Sequence, residues 1–225
     1  SVKAIGDYNQ DGVNDLLVLE NMKTFEVYLN DGQGHFKKQE GALKNVGGPA
    51  PRYASWGLGT MTDLDNDSKP DILVDGKHFL KILRGNGDGT YTYMNGAWAI
   101  KDIAKSAVDE GLCFGDVDND GMLDMAGYTA FPEEGNWNAP FALYHNDLPK
   151  LNWVRVRPVG LAGNRGAAGA KISLYEAGGL GDKAKRIWFE QVQIVNRQSV
   201  QNYYGLAQTE RHMGLGLRNA VDVAI

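Results

Sequence analysis

An all-β fold of propeller-type repeats is predicted by three observations: an acidic nine-residue loop that occurs three times, a short apolar run after each copy, and Asn/Asp/Gly turns that recur beyond those runs. The loops span Asp7–Asp15, Asp63–Asp71 and Asp116–Asp124, and their starts lie 56 and 53 residues apart. A fixed period of this size is the mark of a propeller or an array. With 225 residues and 43% hydrophobic content, the chain can bury one or two ordinary cores.

Each repeat reads as the same run of strands. Leu16–Leu19 and Ile72–Val74 are apolar segments of strand length that leave the loop directly. A second strand follows at Phe25–Leu29 and at Leu80–Arg84, ending in Asn30-Asp31-Gly32-Gln33-Gly34 and Gly85-Asn86-Gly87-Asp88-Gly89. Glycine and asparagine tolerate positive φ, so these turns suit hairpins. An aromatic-led outer strand comes next, at His35–Lys37 and Thr90–Tyr93. A fourth strand, near Ala54–Gly59 and Gly111–Phe114, runs into the following loop. Four strands in about 55 residues is the content of one propeller blade. In 97–110, Ile100, Ile103, Ala104, Ala107 and Val108 fall at helical spacing, which predicts a short helix between blades.

The loops carry the chemistry. Carboxylates or a carboxamide stand at positions 1, 3, 5 and 9: Asp7, Asn9, Asp11, Asp15; Asp63, Asp65, Asp67, Asp71; Asp116, Asp118, Asp120, Asp124. Calcium takes six to eight oxygens at about 2.3–2.6 Å. Those side chains, a water and the position-7 carbonyls of Val13, Lys69 and Met122 make such a shell, so three Ca²⁺ are predicted, one per repeat. Gly12 and Gly121 follow position 5, where the chain turns sharply; Ser68 holds that place in the second loop and predicts strain there. An EF-hand is excluded, because it needs a bidentate Glu at position 12 and flanking helices. Position 12 here is Val18, Val74 or Gly127.

Charge and composition narrow the function. Eleven aspartates sit in the three loops, and three divalent ions would move the formal charge from −5 to +1. The acidity is thus metal-site acidity. Lys183-Ala184-Lys185-Arg186 is the one basic run, read as a solvated loop or strand edge, so nucleic acid is not an expected partner. No apolar run reaches a membrane-spanning length. Cys113 is the single cysteine, read as a small buried hydrophobe without a disulfide. The sequence enters its first loop almost at once and reads as a mature or partial segment of something longer.

The strand–DxDxDGxxD–strand unit resembles the FG-GAP/VCBS repeat of integrin α-subunit heads and many bacterial secreted proteins. The resemblance covers 1–147 in three blades, the first beginning only at its loop, and implies a calcium-stabilised β-propeller of about seven blades. Three blades cannot close such a ring. From Asn152 the period disappears, and alternating strands are predicted at Asn152–Gly160, Lys171–Tyr175, Arg186–Val195 and Val221–Ile225, with Gly214-Leu215-Gly216 between the last two. Asn164-Arg165-x-x-x-Gly169-Ala170 and His212-Met213-Gly214-Leu215-Gly216 resemble the ASPIC/UnbV domain of cartilage acidic protein and its bacterial relatives. Asn164 and Arg165 themselves read as turn and strand-bridging residues rather than a binding pair.

Two units follow: propeller repeats over 1–150 and a small β-sandwich-like domain over 151–225. The expected function is a non-enzymatic, calcium-binding extracellular module for adhesion, recognition or assembly. Its partner would be a protein or glycan ligand, or further copies of itself. A polysaccharide-active enzyme is the alternative, with Glu133 and Glu134 as its acid pair; the scattered His35, His78, His145 and His212 form no catalytic motif. A filament-forming structural protein is the third reading.

Overall fold

A computed structural model describes residues 2–20, 24–43, 58–76, 79–93, 108–129, 141–192 and 210–225. The protein is all-β and built from β-propeller blades. The first blade is the antiparallel meander β1 (Val2–Gly6), β2 (Asp15–Glu20), β3 (Thr24–Asn30) and β4 (Phe36–Lys38). The second repeats it with β5 (Leu58–Thr62), β6 (Asp71–Gly76), β7 (Phe79–Gly85) and β8 (Tyr91–Tyr93). The third contains β9 (Val108–Gly115), β10 (Asp124–Thr129) and β11 (Phe141–Tyr144).

Two expectations are corrected here. The first blade does not begin at its loop, since Val2–Gly6 pairs with β2 and supplies the strand before it. The strand entering each later loop opens that loop's own blade: Thr62 pairs with Asp71, and Gly115 with Asp124, across the loop. Each acidic loop is therefore the connection of a β-hairpin, which fixes its two ends side by side. Of the helix predicted over 97–110, residues 97–107 lie outside the described set, and Val108–Glu110 begin a strand.

Strand alternation decides which side chains meet between blades. Leu17 and Val27 of the first blade pack with Ile72, Leu83 and Tyr91 of the second, and Tyr8 fills the same layer. One residue along β6, Leu73 points the other way and joins Leu64, Ile82 and Met125 between the second and third blades. The middle blade thus has apolar cores on both faces, so Ile72 and Leu73 are both completely buried.

Beyond the blades, β12 (Asn152–Val156) pairs with β15 (Arg211–Gly216), and β13 (Lys171–Glu176) lies between β14 (Arg186–Gln191) and β16 (Val221–Ala224). Ile172, Leu174, Ile187 and Trp188 from the second sheet close on Met213 and Leu215 from the first, giving this part a core of its own. The Gly214–Gly216 segment is strand rather than connection. Asn164 is a turn former: its side-chain oxygen accepts the Ala168 N–H at 2.9 Å and its amide donates to the Ala168 carbonyl. Among the described residues the one helical element is a 3₁₀ turn at Lys183–Lys185, and no helix is long and apolar enough to cross a membrane.

Leu73→Ala removes a completely buried side chain from the core between the second and third blades and should cost about 2–5 kcal/mol. Leu143→Ala, on a side chain that is 54% exposed, should stay within about 0.5 kcal/mol. Urea unfolding of the two variants measures the contrast.

Candidate metal centre

The three loops share one hydrogen-bond pattern. The position-1 carboxylate accepts the N–H groups of positions 5 and 6: Asp7 from Asp11 (3.0 Å) and Gly12 (2.8 Å), Asp63 from Asp67 (3.1 Å) and Ser68 (2.9 Å), Asp116 from Asp120 (3.0 Å) and Gly121 (3.2 Å). Position 3 accepts from position 5 through Oδ1 of Asn9, Asp65 and Asp118, each at 3.2 Å. Position 5 accepts from position 7, so Val13, Lys69 and Met122 each donate an N–H at 2.9 Å. Position 9 closes the loop. Oδ2 of Asp15, Asp71 and Asp124 accepts the N–H of Tyr8, Leu64 and Val117, and Oδ1 accepts that of Asn30, Gly85 and Asn146 at the end of the blade's next strand.

This wrap needs left-handed backbone twice per loop. Position 4 adopts it at Gln10 (φ 60°), Asn66 (59°) and Asn119 (61°), and position 6 at Gly12 (86°), Ser68 (73°) and Gly121 (89°). Ser68 therefore bears the strain that its β-carbon predicts.

The carboxylates converge. Asp63, Asp65 and Asp71 each bring one oxygen within 4.8 Å of the others, and so do Asp116, Asp118 and Asp124. His145 adds a ring nitrogen to Asp118 and Asp120 at the same spacing. In the first loop Asn9 takes the place of one carboxylate, and its amide donates to Asp11 Oδ2 at 3.0 Å. Burial pushes the Asp63 and Asp71 carboxyls well above the usual carboxylate range, and their neighbouring aspartates push the same way. Burial likewise raises Asp7 to about 7 and Asp15 to about 6. Oxygen-only donors, gathered at short spacing with their charge poorly solvated, are chemically suited to a hard divalent cation.

The segment from β12 onward packs against all three loops, which periodicity could not show. At the first loop, Gln10 donates to the Ile187 carbonyl (3.2 Å), Asn14 to Gln191 (3.0 Å), and Arg186 to the Gln10 carbonyl (3.3 Å). The run 183–186 is thus only partly a solvated edge, because Arg186 serves the loop. At the second, His212 Nε2 lies 2.9 Å from Asn66 Oδ1, and the Gly216 N–H donates to the Asn66 carbonyl at 2.8 Å. A β-carbon on Gly214 would collide with Asp63 and the Asn66 backbone. Burial and the nearby Arg155 hold His212 down at about 4. At the third, Arg155 reaches Asp116 Oδ2 at 3.1 Å while Trp153 stacks on His212 with ring centroids 4.9 Å apart. Asn66 also donates to the Gly121 carbonyl at 2.8 Å, tying the second loop to the third.

Glu133, Glu134 and His78 lie outside the described residues; Cys113 belongs to β9, with its side chain outside the described set.

Blades of antiparallel strands joined through acidic hairpin loops define a β-propeller repeat protein. The FG-GAP-like repeat matches residues 7–74 and again 63–126, just over half of the sequence, and the chain belongs to that family. No curated protein matches it. Among solved structures, a lectin from Agrocybe aegerita described as specifically recognising non-reducing terminal N-acetylglucosamine is similar at 21% identity and a TM-score of 0.38. The match covers 64% of this chain and spans 37% of that one, a likeness too loose to bear on function.

Ser68→Gly should stabilise the protein by up to about 1 kcal/mol, the left-handed penalty of a β-carbon less the chain entropy that glycine adds. Asn66→Ala strands His212 and the Gly121 carbonyl and should cost about 1–3 kcal/mol. Both are read from chemical denaturation midpoints.

Proposed function

We propose that the protein is a calcium-stapled, non-enzymatic module acting outside the cell in recognition or assembly. The observation that carries this reading is the repeated convergence of loop carboxylates within one invariant backbone wrap. Asp15 and Asp124 are 0% and 1% exposed. A cation beside carboxylates so placed offsets the cost of holding their charge out of water. An ion would be held in the first loop by Asp7, Asn9, Asp11 and Asp15 and in the third by Asp116, Asp118, Asp120 and Asp124, with the carbonyls of Val13 and Met122; Asp63, Asp65, Asp67, Asp71 and the Lys69 carbonyl are the equivalent groups of the second loop. A bound ion supplies charge neutralisation and rigidity. Calcium is abundant outside cells, which supports that location.

The repeats would occupy 1–150, in keeping with their sheets and loops. The remaining 151–225 would be an ASPIC/UnbV-like domain, a reading that rests on the resemblance of Asn164–Ala170 and His212–Gly216 to that family. Its partner is proposed to be a protein or glycan ligand, or another copy of the chain.

Chelation should lower the melting temperature and added calcium should restore it. A site filled at 100 times its Kd adds about 2.7 kcal/mol, which is roughly 5–10 °C for a chain of this size. Asp116→Ala should remove one site's share of that gain. A melting temperature indifferent to chelator in differential scanning fluorimetry would overturn the reading.

A further inference from the structure

The three loops share a wrap but differ in what lies over it. At positions 3 and 5, Oδ1 is committed to a backbone N–H, which leaves the second oxygen of each carboxylate for a cation. The residue placed over those two oxygens is set by topology. It directly precedes the N–H donor to the position-9 aspartate, and is therefore Leu29 in the first blade, Arg84 in the second and His145 in the third.

Arg84 takes both free oxygens at once. Its Nε lies 2.7 Å from Asp65 Oδ2 and its Nη2 2.9 Å from Asp67 Oδ2. The two carboxylate side chains are only 12% and 11% exposed, while the Arg84 side chain that forks onto them is 44% exposed. Lys69 adds a second positive charge 3.5 Å from Asp67. In the first blade the corresponding side chain is Leu29, which brings no charge; Arg186 reaches that loop at the Gln10 carbonyl rather than at the oxygens of positions 3 and 5. In the third, His145 holds Asp118 Oδ2 at 3.0 Å but stands 3.8 Å from Asp120 Oδ2. Lys150 on Asp120 is 66% exposed, a surface contact of small weight. Arg155 reaches the Asp116 oxygen that already accepts the Gly121 N–H.

We propose that Arg84 is the resident cation of the second loop, holding two of the oxygens a divalent ion would use, so that this loop is held without metal while the first and third depend on it. The proposal rests on reading the loops as divalent-cation sites. It makes the blades unequal: the central one carries its own counter-charge, and metal governs the two that flank it. A divalent ion enters the second loop only by displacing a two-point guanidinium contact. The residue that closes the third strand thus sets each loop's demand for metal.

Isothermal titration of the chelator-stripped full chain with Ca²⁺ tests this, comparing wild type with Arg84→Leu, which installs the side chain of the first blade. Wild type should bind two ions. Arg84→Leu should bind a third, with an affinity for the second loop raised about tenfold or more. In chelator, Arg84→Leu should also melt below wild type, and calcium should close that gap. If Arg84→Leu loses its β-sheet circular dichroism, Arg84→Gln, which keeps a polar side chain but no charge, makes the same comparison. Three ions of similar affinity in wild type, unchanged by the substitution, would overturn the assignment of Arg84 and leave the metal reading standing. No calcium uptake by either protein would overturn both.

Discussion

The double hydrogen bond accepted by the ninth loop residue holds each blade in shape. Asp15, Asp71 and Asp124 are all but fully buried, and each joins the start of its own loop to the far end of the next strand. One carboxylate therefore sets the hairpin of the first two strands and the end of the third together. Two backbone N–H groups aimed at one carboxylate are charge-assisted bonds of the stronger kind. They do not neutralise it. The carboxylate that organises the blade thus brings its charge inside.

The same constraint distributes the neighbouring side chains. With position 2 bonded to position 9, Tyr8 and Leu64 are turned into the layers between blades, where they are nearly inaccessible to water. Val117, at the same place in the third loop, is exposed. Position 4, left-handed in every copy, turns its side chain away from the oxygens. Gln10 and Asn66 use that freedom to hold the sheets that follow the blades. The loops are thus a cluster of carboxylate oxygens on one side and a docking platform on the other.

Much of this was legible in the sequence. The loop period, the strand runs Leu16–Leu19 and Ile72–Val74, and the Asn/Asp/Gly hairpins report local rules of backbone and alternation. Among the described residues the structure realises them as two four-stranded sheets and a three-stranded one. Ser68 was recognisable as a strained residue because the need for positive φ is local too. What sequence could not reveal is non-local. Arg84 stands 17 residues from Asp67, and only the β7 register puts it over the loop. His212 meets Asn66 across 146 residues, a distance at which no periodicity operates. Gly214 looked like a connection because glycine usually marks one. It is a strand residue whose missing side chain makes room for Asp63.

The most direct test is a crystal structure grown in calcium. The account predicts an ion in the first and third loops, ringed by side-chain oxygens of positions 1, 3, 5 and 9 at about 2.3–2.6 Å, with the wrap of N–H groups unchanged around it. Loops of the same shape with no ion at millimolar calcium, their carboxylates held by protein cations and water alone, would contradict it.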